Sequence, residues 1–89
     1  MRHRYLEVTF RRGKPLAAYL YLPRAADAKV ASTQDAGRGL RIDYDSEGAA
    51  LGIEVTAPSA VSIDDLNALL ASLGQPELPA EEWAPASAA

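Results

Sequence analysis

Apolar and polar residues alternate most cleanly over residues 40–55, where Leu40, Ile42 and Tyr44 share one face of a first arm and Leu51, Ile53 and Val55 one face of a second. Arg41, Asp43, Gly52, Glu54 and Thr56 take the opposite face, and Asp45-Ser46-Glu47-Gly48 stands between the arms. Period-two alternation around such a stretch predicts a β-hairpin with one buried face, with Asp45 and Gly48 as its turn residues. Side chains paired across a ladder share a face, so the two apolar triplets must match. A four-residue loop with Gly48 at positive φ pairs Ile42 with Leu51 and is the expected one. A two-residue Glu47-Gly48 loop also keeps the triplets together and sets Arg41 opposite Glu54. A three-residue loop would put Leu51 beside Asp43 and is excluded on that ground.

Two further strands are expected upstream. Over 4–10, Leu6, Val8 and Phe10 alternate with Tyr5, Glu7 and Thr9. Arg11-Arg12-Gly13-Lys14 reads as the turn into a strand over 16–22, with Leu16, Ala18, Leu20 and Leu22 on one side, Tyr19 and Tyr21 on the other, and Pro23 at its end. The alanine-rich stretch 24–36 is read as a strand over 28–34, and Gly37-Arg38-Gly39 as a turn. After Pro58 the period changes. Ser62 is an N-cap, Asp64 and Asp65 suit the helix dipole, and Ile63, Leu66, Leu69, Leu70 and Leu73 predict one amphipathic helix over 62–73, stopped by Gly74 and Pro76. The expected architecture is α+β: an antiparallel four- to five-stranded β-meander with one C-terminal amphipathic helix packed on one face. Residues 1–75 form that single domain, and 76–89 a Pro/Ala/Glu-rich tail that is irregular and loose from Ala84 onward.

Composition changes the picture in two ways. A chain of 89 residues buries only about 60–65% of its extended surface, so its stability margin is thin and a second copy is physically welcome. A homodimer is therefore expected, one helix being too little to cover a twisted sheet. The charge is also unevenly divided. All nine Lys and Arg lie at or before Arg41, against three acids there, while the nine remaining acids follow it with no base among them: +6 on the first 41 residues and −9 on the last 48. The plainer account is that the halves neutralise each other within one fold or across a dimer; the other is an anionic partner for one half and a basic one for the other. The chain has no cysteine, which excludes disulfides, thiolate metal sites and thiol nucleophiles and fits a reducing compartment. The longest apolar run has seven residues, too few to span a bilayer. A cytoplasmic location without membrane contact is expected.

No constellation demands a chemistry. Asp43-x-Asp45-x-Glu47-Gly48 with Glu54 follows the spacing of a calcium loop, but a strand pattern and glycines flank it where helices are required. The same carboxylates, on a tight exposed turn, lack the cleft that would drive their pKa values apart for acid–base work. His3 is the single histidine, and no Gly-x-Ser-x-Gly elbow is present. Gly37-x-Gly39 lacks the Lys-Ser or Lys-Thr of a phosphate loop. The chain is read as not an enzyme and as needing no cofactor or metal. Arg2, Arg4, Arg11, Arg12 and Lys14, with Tyr5 and Phe10 between them, are candidates for contact with an anion or nucleic acid; the plainer role is an edge hairpin charged against aggregation. Trp83, with Glu81 and Glu82, is the candidate partner-binding group; the plainer role is a Trp that folds back to close its own core or its twin's. Tyr19 and Tyr21 cover the second sheet face or form part of a dimer seam.

Ile42-Asp43-Tyr44-Asp45-Ser46-Glu47-Gly48, followed by Leu51-Gly52-Ile53-Glu54-Val55, resembles the signature of a bacterial family of small proteins known as domain of unknown function 2283. Ala18-Tyr19-Leu20-Tyr21-Leu22 echoes a second stretch of that family, so the resemblance spans residues 5–57. Arg11-Arg12-Gly13-Lys14-Pro15 departs from it, standing where the family has an acidic turn. The family has no established activity or catalytic residues. Some members are encoded beside small toxin-like proteins, which implies an antitoxin or immunity role. The reading is thus a protein-binding or regulatory module, antitoxin-like, with a small protein partner. The alternatives are a nucleic-acid-associated module using the basic hairpin, or a small-ligand pocket at a dimer seam near Tyr19 and Tyr21.

Overall fold

A computed structural model describes residues 3–87; Arg2, among the basic candidates, and Ala88 and Ala89, at the end of the expected tail, lie outside the described residues. Strands β1 (Tyr5–Arg11), β2 (Lys14–Tyr21), β3 (Ser32–Gly37), β4 (Leu40–Tyr44) and β5 (Ala50–Val55) form one antiparallel sheet in the order β1-β2-β5-β4-β3. The α+β class is as expected, but the meander is interrupted. The chain leaves β2, crosses to the far edge, and winds back so that β5 closes against β2. Two helices follow, not one: α1 (Ile63–Ser72) and α2 (Ala80–Ser87). No described helix is long and apolar enough to cross a membrane.

The core lies on one side of the sheet. Ala18, Leu20, Leu22, Leu40, Ile53 and Val55 meet Val61, Leu66, Leu70, Leu78, Trp83 and Ala86 there, with Leu6 and Val8 packed beside them. Phe10 and Leu16, expected on this face, are half exposed. β5 reaches only as far as Ala18 along β2, so the far end of the first hairpin overhangs the layer beneath it.

The hairpin register differs from the expected one. Ile42 faces Ile53 and Arg41 faces Glu54, the pairing that the shorter loop would give. The turn is nevertheless the excluded kind. Asp45 N–H donates to the Ala49 carbonyl at 2.9 Å and Gly48 N–H to the Asp45 carbonyl at 3.2 Å, leaving Ser46, Glu47 and Gly48 as the loop. A bulge between Asp43 and Tyr44 makes Leu51 an extra residue and restores the facing of the apolar triplets. Alternation alone misses a bulge, because the extra residue cancels the slip that the odd loop introduces.

β3 also starts four residues later than expected, at Ser32–Gly37, and every residue in it is exposed. With neither face buried, no alternation marks it. The Arg38-Gly39 turn, with φ of +53° and +75°, sets its pairing with β4.

α1 starts and stops where its sequence says. Ser62 Oγ accepts from Asp65 N–H at 3.0 Å while the Asp65 carboxylate reaches back to Ser62 N–H at 3.4 Å, a capping box. Gln75 N–H donates to Leu70 O and Gly74 N–H to Ala71 O, closing the C-terminus. The Ser62 hydrogen bonds, followed by Arg38 at 3.0 Å, hold the Asp65 carboxyl below its ordinary value. A depressed carboxylate stabilises the fold above its unfolded pKa, and this contribution is lost as the pH falls through the acid range. Ser62→Ala is expected to cost about 1 kcal/mol in chemical denaturation and to flatten part of that acid dependence.

Beyond Pro76 the chain is not an irregular tail. Asn67 both donates to Leu78 O at 3.2 Å and accepts from Leu78 N–H at 2.7 Å, and the Arg4 guanidinium donates to the carbonyls of Pro76 and Glu77. These bonds deliver α2 to the sheet, where Trp83 is 2% exposed and Ala86 is fully buried.

Candidate functional site

With both helices on one side, the other sheet face is left open. The register arranges it in two cross-strand rows: Tyr5, Tyr21, Gly52, Asp43 and Thr33, and beside them Glu7, Tyr19, Glu54, Arg41 and Asp35. Tyr5 and Tyr21 stack with ring centroids 4.5 Å apart, and Tyr19 leans on Tyr21 at 4.6 Å. The Arg24 guanidinium lies 5.1 Å above the Tyr21 ring. Tyr21 also makes a long contact of 3.5 Å to Glu7.

Tyr19 is the fixed point of this face. Its hydroxyl donates to Asp43 Oδ2 at 2.6 Å, and the Thr33 hydroxyl donates to Asp43 Oδ1 at 2.6 Å. To reach Asp43 the ring crosses Gly52, where a Cβ would overlap the Tyr19 ring carbons and hydroxyl. Burial, and then the hydrogen bond to and the negative charge of Asp43, push the Tyr19 hydroxyl well above its ordinary value. It is a neutral donor across the whole physiological range. Tyr21 is raised as well, by desolvation and then by Glu7.

The two stretches 18–22 and 42–55 therefore meet at this network. Asp43 orients Tyr19, and Gly52 makes room for it. Asp45 Oδ1 accepts from the Glu47 and Ala49 N–H groups at 2.9 Å each, and Gly48 takes a φ of +85°. Asp45 and Gly48 are the structural turn residues that the sequence indicates. The carboxylates of the calcium-loop spacing do not converge: Asp43 is held by two hydroxyls, Asp45 serves the turn, and Glu54 faces Arg41 within the sheet. Among the described residues no three metal-ligating side chains cluster.

The other sequence candidates lie elsewhere. Arg11, Arg12 and Lys14 sit at the overhanging tip of the first hairpin, around an Arg12-Gly13 turn with φ of +53° and +77°. Trp83 is inside the core, so folding back onto its own chain is the role it takes; Glu81 and Glu82 stand exposed on the first turn of α2. A broad cleft of about 640 Å³ runs between the 23–31 crossing and the 45–51 turn, lined by Arg24 and Lys29 but also by Asp27, Asp45 and Glu47. Its mixed charges do not converge on one ligand chemistry.

Alternation along the chain sets Tyr19 and Tyr21 on one face but does not reveal Tyr5, Arg24, Asp43 and Thr33 as their neighbours. Strand parity already placed Tyr5, Asp43 and Gly52 on outward faces; what was lacking was the order of strands that brings β5 beside β2. No protein-family model matches the chain, and no curated protein or solved structure matches it.

Proposed function

We propose that the chain is a non-enzymatic protein-binding module, and that its partner sits on the tyrosine face. The observation that carries this is the placement of Tyr5, Tyr19, Tyr21 and Arg24 where the core does not need them. Tyrosine and arginine are the residues that concentrate binding energy at protein interfaces, because they bring large rigid surface with a polar edge. Glu7, Glu54, Asp35 and Asp43 outnumber Arg24 and Arg41 on this face, which suits a basic partner and opposes a phosphate backbone. In its finer form the module is antitoxin-like and covers a small basic protein, a role that the resemblance of the 42–55 hairpin also favours. Tyr19 supports a binding role over a chemical one, since a hydroxyl with a raised pKa is a poor base and a poor nucleophile at neutral pH.

The test uses the tagged chain and its Tyr5→Ala/Tyr21→Ala variant with the protein that co-purifies. The expected result is a basic partner held near one-to-one by the wild type and at least about tenfold more weakly by the variant, whose melting curve stays close to the parent's. Equal retention by both overturns the assignment of this face. Deleting residues 76–89 is not a useful probe, because it removes Leu78, Trp83 and Ala86 from the core.

A further inference from the structure

The first hairpin carries a second surface, unrelated to the tyrosine face. Its tip extends past the last β2–β5 pair at Ala18 and Val55. There Arg11, Arg12, Lys14, Pro15 and Leu16 line an open recess of about 270 Å³, beside a half-exposed Phe10. From Val8 to Leu22 the sequence holds no acid. Arg38 pairs with Asp65 at 3.0 Å, whereas none of the three described tip cations makes an ion pair with a carboxylate of its own chain. The opposite charge is displayed on the helical layer, where Glu77, Glu81 and Glu82 are exposed and no base follows Arg41. Buried Trp83 fixes Glu81 and Glu82 on a packed helix, so they are not spread over a loose tail.

We infer that the hairpin tip docks on the Glu81–Glu82 end of α2 in a second copy of this chain, reciprocally, as a salt-sensitive two-fold pair. Arg38–Asp65 and the facing of Arg41 and Glu54 pair only part of the charge asymmetry within one chain, and a second copy supplies a matching surface for the tip. Two-fold symmetry makes each tip–helix contact twice per association event, which a one-sided contact does not. Phe10 and Leu16 add apolar area next to the charges, giving the contact a part that salt does not screen. A polyanion is the rival occupant of the same cations, and the nine acids of the second half disfavour it.

The experiment is sedimentation velocity on the wild type, on Arg11→Glu/Arg12→Glu and on Glu81→Arg/Glu82→Arg, over a wide concentration range at low and high salt. The wild type is expected to dimerise at low salt and to weaken at least about tenfold at high salt. Each reversed variant alone is expected to be monomeric, since tip and helix then carry like charge. An equimolar mixture of the two is expected to form a one-to-one heterodimer, because both contacts become complementary again. That rescue distinguishes charge pairing from a loss of fold, and the wild-type salt dependence stands even if one variant is unstable. A monomeric wild type, a mixture that stays monomeric, or dimerisation unaffected by either reversal overturns the inference. So does tight, salt-sensitive binding of a mixed-sequence oligonucleotide by a wild type that does not self-associate.

Discussion

Trp83→Ala lowers the unfolding free energy by about 3–5 kcal/mol, the largest loss expected from any single side chain here. The indole is 2% exposed and belongs to the same cluster as Leu20, Leu22, Val55, Leu66 and Leu70. Its removal opens a cavity between α2 and the sheet that a domain this small cannot absorb, and at about 4–8 °C per kcal/mol the melting midpoint falls steeply or the transition disappears. The indole Nε1–H is buried without a hydrogen-bond partner, the one such side-chain atom among the described residues. An unpaired buried donor costs about 1–3 kcal/mol. Trp83→Phe gives up some packing but also removes that donor, so it is expected to stay within about 1 kcal/mol of the parent. Equal damage from both substitutions, read by thermal and urea unfolding, would mean that the smaller ring recovers none of the packing and that the unpaired N–H is not a burden.

Gly52→Ala is expected to cost about 1–3 kcal/mol although it adds a single methyl group. The new Cβ would overlap the Tyr19 ring and hydroxyl, so the ring must swing off β5 and give up Asp43. The spectroscopic consequence is separate from the loss of stability. In the wild type the Tyr19 hydroxyl is raised above its ordinary value by burial and by Asp43. The fold therefore favours the neutral phenol: its contribution is complete below the unfolded tyrosine pKa of about 10 and is lost as the pH rises above it. In Gly52→Ala one tyrosine should titrate nearer that ordinary value in tyrosinate absorbance, and the alkaline loss of stability should shrink. Tyr19→Phe is the companion. It keeps the ring over Gly52 and removes only the bond to Asp43, at about 1 kcal/mol. An unchanged titration in Gly52→Ala would show that the ring does not need the space that glycine leaves.

Much of the local structure was legible in the chain because local rules govern it. The N-cap at Ser62, the stop at Gly74, the position of the Asp45–Gly48 turn, though not its loop length, and the outward placement of Tyr19 and Tyr21 each depend on neighbours within a few residues. The misreadings share a cause. β3 has no buried face and so leaves no periodic trace, and the bulge at Leu51 is invisible to a rule that assumes unbroken alternation. Folding back of Trp83 is the plainer expectation and the one the core bears out, but nothing near it in sequence, apart from prolines and acids, tells what covers it. The bonds that bring it home come from Arg4 and Asn67.

The sequence by itself determined where the strands of the two hairpins and the first helix lie, which residues of β1, β2, β4 and β5 share a face, and that charge is split between the halves of the chain. Each follows from backbone periodicity, capping chemistry and simple counting. Only the tertiary structure decided that β5 inserts beside β2, that a second helix seals the core, and that Tyr5, Tyr19, Tyr21, Arg24 and Asp43 converge on the uncovered face. Those outcomes depend on contacts between residues far apart in the chain, where burial of apolar area and closure of hydrogen bonds select one of many arrangements that the same local pattern allows.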